Sequence, residues 1–84
     1  MDQFQKLYEQ LKEQKYPLLY PFKFIGPPEK VNQLKKLLKD AELSQKPSRN
    51  GKYISLTAKA MMMDPESIIE LYREAAKIKG VISL

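Results

Sequence analysis

The chain has 84 residues, a net charge of +5, 43% hydrophobic and 30% charged residues, and neither cysteine nor histidine. That length allows a single hydrophobic core, and the apolar content is too high for a disordered segment. The missing Cys and His exclude disulfide staples, thiolate chemistry and the usual zinc, copper and haem ligand sets, so no metal site and no cofactor is expected.

Phe4, Leu7, Tyr8 and Leu11 recur at helical spacing with polar residues between them, which predicts an amphipathic helix over residues 2 to 14. It ends as Pro17 is approached, because the residue before a proline is pushed out of the α region. Pro17 and Pro21 bracket Leu18-Leu19-Tyr20, which reads as an extended linker into a first strand over Phe22 to Ile25. Residues 1–17 are thus an N-terminal helix and linker, and residues 18–84 a domain.

Gly26-Pro27-Pro28 closes the strand and opens a helix over residues 28 to 40, with Val31, Leu34, Leu37, Leu38 and Ala41 on one face. From Glu42 to Arg49 the alternation is weak and Pro47 interrupts it, as in a short or irregular edge strand. Asn50-Gly51 supplies the positive φ angles of a two-residue hairpin. The clearest strand then runs from Tyr53 to Met62. Ile54, Leu56, Ala58, Ala60 and Met62 point inward, and Tyr53, Ser55, Thr57, Lys59 and Met61 point outward. Asp64-Pro65-Glu66-Ser67 is a capped helix start, Ile68, Leu71, Tyr72 and Ala75 form that helix's inner face, and Gly80 is its stop. Val81 to Leu84 is a last short strand. The order β-α-β-β-α-β gives an α+β, ferredoxin-like sandwich: a four-stranded antiparallel sheet, two helices on one face, and an extra N-terminal helix.

Tyr20-Pro21-Phe22-Lys23-Phe24, and the P-S-x-x-G-x-Y-x-S arrangement of Pro47, Ser48, Gly51, Tyr53 and Ser55, resemble the small bacterial YbeD-like proteins (domain of unknown function 493). The likeness covers about residues 18 to 84. It implies a fold similar to ACT regulatory domains, and it brings no catalytic residues.

Enzyme readings fare badly. A Ser or Thr nucleophile lacks the histidine base it would normally use. Glu66 and Glu70 are one helical turn apart and read as an exposed pair. Gly26-Pro27-Pro28 lacks the glycines and N–H donors of a phosphate loop. The expectation is therefore a non-catalytic regulatory or interaction module for a small ligand or a protein partner. Lys23, Ser55, Thr57 and Lys59 would supply a polar sheet face and Arg49, Asn50 and Gly51 a backbone-rich loop, with Tyr53 a further candidate contact. Plainer readings stand beside these, solvated lysines and a simple hairpin turn. The alternative is an RNA-binding domain that uses the same open face, less favoured because Tyr53 is the one aromatic on that strand while Ser55 and Thr57 take the stacking positions.

The basic excess lies in residues 1 to 59, since residues 60 to 84 carry three basic and four acidic side chains. It permits nucleic acid, an anionic membrane or an acidic protein as partner. Asp2, Glu9 and Glu13 on the N-terminal helix argue against a membrane, so its apolar stripe is expected to pack on protein, either its own domain or a second protomer in a homodimer. With no run of 18 apolar residues and no basic-then-apolar start, a cytoplasmic location is expected.

Overall fold

The computed structural model describes residues 4–84. The elements are α1 (Gln5–Leu11), β1 (Leu18–Gly26), α2 (Pro28–Leu37), β2 (Glu42–Pro47), β3 (Ile54–Met62), α3 (Pro65–Ala76) and β4 (Ile82–Ser83). The four strands form one antiparallel sheet in the order β2-β3-β1-β4. This is the ferredoxin-like sandwich with an extra helix.

Alternation along β1 and β3 sends Phe22, Phe24, Leu56, Ala58 and Met62 toward the helices, where they meet Leu34, Leu38, Ile68, Tyr72 and Ala75. Phe22, Phe24, Leu34, Leu56 and Ile68 are fully enclosed, each contributing roughly 1.5–3 kcal/mol by leaving water. α3 begins as its sequence dictates: Asp64 Oδ1 accepts the Ser67 N–H at 2.7 Å and Pro65 fills the first helical position. β2 lies beyond the helical layer and is exposed along its length, Leu43 included.

Several expectations change. Leu18 to Pro21 are not a linker but the first half of β1, paired from Leu18↔Met62 to Pro21↔Lys59. Pro21 is tolerated because β4 pairs only at Phe24 and Ile25, so at Pro21 the missing N–H can face a side with no neighbour. Asn50-Gly51 does not make a two-residue hairpin. Only Gly51 of the two has positive φ, and the strands close at Pro47↔Ile54, leaving residues 48–53 as the loop.

α1 stops at Leu11, three residues short of expectation, because the Glu13 and Gln14 N–H groups bond three residues back, to Gln10 and Leu11, and tighten the last turn. Asp2, also expected in this helix, lies outside the described residues. A helix of seven residues is too short to stand alone; contacts with α3 hold it. Leu11 is buried, the Phe4 ring stacks on Tyr72 with centroids 6.1 Å apart, and the Arg73 guanidinium sits 5.4 Å over the Phe4 ring. Ile69, which helical spacing left outside, is consequently only 7% exposed.

Candidate functional site

Because α1, α2 and α3 pack on one side, no helix among the described residues lies over the second face of the sheet. The register orders its side chains in cross-strand rows. Glu42, Lys59 and Pro21 form one row; Ser44, Thr57 and Lys23 the next; Lys46, Ser55, Ile25 and Ile82 the third. Lys23 thus lies directly across from Thr57 and diagonal to Lys59, at about 7–8 Å between backbones. The β1 end beyond Lys59 carries Leu19 opposite Met61. At the other end Ile25 and Ile82 are paired, and Leu84, which follows β4, comes alongside Lys23, its N–H donating to the Lys23 carbonyl at 2.9 Å.

Four of the eight candidate residues, Lys23, Ser55, Thr57 and Lys59, are therefore brought together. Among the described residues none pairs its carboxylate with Lys23, Lys46 or Lys59, and Glu42 is the only acidic side chain in the three rows. Tyr53 stands exposed past the third row, across from Ser48. Arg49, Asn50 and Gly51 sit apart in the loop, whose polar atoms are largely committed to its own shape. Asn50 Oδ1 accepts from the Ser48 hydroxyl at 3.0 Å and from the Lys52 N–H at 3.1 Å, while Ser48 Oγ accepts the Tyr53 N–H at 3.1 Å. The arrangement favours the structural role for Asn50. Sequence reasoning missed Lys46, Ser44 and Ile82 as members of the face, since only the register places them there.

The helical side holds a different polar set. The Tyr20 and Tyr72 hydroxyls meet at 3.0 Å in partly buried surroundings, and burial, then this contact, pushes the Tyr72 phenol above its ordinary value. The Tyr8 hydroxyl donates to Glu66 Oε2 at 2.6 Å, and that bond raises the Tyr8 pKa. Phe4, Tyr8, Ile69, Glu70 and Arg73 line a cleft of about 340 Å³ between α1 and α3. Among the described residues no group of three acidic side chains could hold a metal ion, and no helix is long and apolar enough to cross a membrane.

A family model described as protein of unknown function (DUF493) matches residues 11–84. No curated protein and no solved structure matches the chain.

Proposed function

The chain belongs to that family of proteins of unknown function, and from the geometry of its open sheet face we propose that it is a non-catalytic, ACT-like interaction module with a regulatory role in the bacterial cytoplasm. Its partner is a protein that docks on the face built by Lys23, Ser55, Thr57 and Lys59. The observation that carries this reading is the gathering of those four side chains on a sheet surface that the extra helix leaves bare. A flat surface of this kind suits a macromolecular partner better than a small ligand, which needs a concavity that removes most of its own surface from water. RNA is the less favoured occupant, because the middle of the face offers Thr57 and Ser55 where bases need aromatic platforms.

A photo-crosslinking amino acid placed at Thr57 tests the reading in intact cells, with the same group at Gln33, exposed on α2, as control. The expected result is a protein adduct from position 57 that position 33 does not give. Identical adducts from both positions, or an RNA adduct from position 57, would overturn it.

A further inference from the structure

The face has an internal pattern, and it describes its partner. Lys59, Lys23 and Lys46 occupy three successive rows, on the central strand β3 and on its two neighbours β1 and β2, with Thr57, Ser55 and Ser44 between them, and Glu42 is the single acid in those rows. Apolar side chains flank this basic field: exposed Leu19 and Met61 stand beyond its first row, half-buried Ile25 and exposed Ile82 hold the far side of the third row from Lys46, and exposed Leu84 lies beside Lys23. Leu19 and Ile25 are six residues apart on one strand, so the two apolar ends are separated by about 20 Å.

We infer that this face docks an amphipathic, acidic helix of a partner protein, its carboxylates over the three lysines and an apolar residue seated at each end. The inference rests on the docking reading above and adds the chemistry of the partner. Three features decide it. A second copy meeting the same face would set lysines against lysines, a like-charge contact with one Glu42 from each side to offset it. An extended peptide lying across the middle of the face would find no backbone groups free to pair, because β3 is bonded to a neighbour on each side and the open edges of β1 and β2 point within the sheet plane, whereas a helix satisfies its own backbone and packs through side chains. A nucleic acid would answer the charges but leave Leu19, Met61, Ile82 and Leu84 against phosphate and water. On a helix, residues 14 apart return to the same face about 21 Å along the axis, which matches the spacing of the apolar ends, and positions between them on that face carry the acids.

The test uses the full chain and a synthetic 18-residue helical peptide with leucine at its second and sixteenth positions, glutamate at its sixth, ninth and thirteenth, and alanine, glutamine and lysine on the remaining face. A control peptide has glutamine for each glutamate. Amide chemical shifts are expected to move on β1, β2 and β3 with the acidic peptide, with at least tenfold weaker binding for the control and for the double variant Lys23→Glu/Lys59→Glu. Both lysines are exposed, so the fold survives, as the unperturbed shifts of α2 and α3 will show. No shifts at millimolar peptide, shifts confined to α1 and α3, or equal binding of the control overturns the inference. A Thr57 protein adduct alongside such a failure leaves docking standing and the partner's chemistry wrong; no Thr57 adduct removes the docking reading itself.

Discussion

The Tyr8 hydroxyl donates a 2.6 Å hydrogen bond to Oε2 of Glu66, 58 residues away in sequence, and so ties α1 to the first turn of α3. Tyr8→Phe removes that bond and nothing else. Amides of residues 5–11 are expected to exchange faster in the variant while those of β1 and β3 keep their rates, measured by hydrogen exchange. The bond also sets a pH dependence. Because Glu66 raises the phenol pKa, the contribution of Tyr8 is complete below the ordinary tyrosine value near 10 and is lost as pH rises through the higher folded value. In the wild type, exchange in α1 should therefore rise above pH 10, and Tyr8→Phe should lack this component.

Tyr72 sits where the two layers and α1 meet, with its ring against Phe4, Tyr20, Phe22 and Phe24. Tyr72→Phe keeps the ring and deletes the hydroxyl contact with Tyr20, for a loss of about 1 kcal/mol. Tyr72→Ala opens a cavity under all three elements and costs about 3–5 kcal/mol, a large share of the stability of a domain this size. Urea titration followed by circular dichroism separates the two.

Asp64 gives the acid side of the profile. The Ser67 side chain and N–H hold its carboxyl below the ordinary carboxylate value. A depressed folded pKa means stability that is fully present above the unfolded value near 4 and is lost as pH falls through the folded one. Melting temperature should drop below pH 4 in the wild type. In Asp64→Asn, which still caps the helix but carries no charge, that part of the drop disappears; Asp64→Ala melts lower at neutral pH as well.

Gly51 and Gly80 both hold positive φ, at 73° and 89°, but in different surroundings. A side chain at Gly51 would meet open space, whereas one at Gly80 would come within 3.3 Å of the Pro27 ring. Gly51→Ala is expected to cost about 1 kcal/mol, the conformational part alone, and Gly80→Ala more, because Pro27 must also give way. Thermal melts of the two variants rank them.

Much of this architecture is legible in local chemistry. The alternation from Ile54 to Met62, the Asp64-Pro65 cap and the proline-led start of α2 need only neighbours within a turn or two, and they gather Lys23, Ser55, Thr57 and Lys59 on one face. What local chemistry does not carry depends on tertiary partners. Leu18 to Tyr20 read as linker because Pro21 follows them, and only the short reach of β4 shows why a proline is harmless there. Ile69 is buried by α1, whose docking side no periodicity announces. Lys46 joins the basic face through the β2–β3 register, and that register follows from a loop shaped by Ser48 and Asn50 rather than from the Asn50-Gly51 turn.

The methionine run at the end of β3 divides itself by accessibility: Met61 is 59% exposed, Met62 9% and Met63 66%. An oxidant will therefore convert the outer two thioethers to sulfoxides while the middle one is shielded by the fold. A sulfoxide at Met61 replaces an apolar end of the open face with a polar group and leaves the core intact. The redox history of a preparation would then be written on its outer surface, readable by peptide mass, before any change in its melting curve.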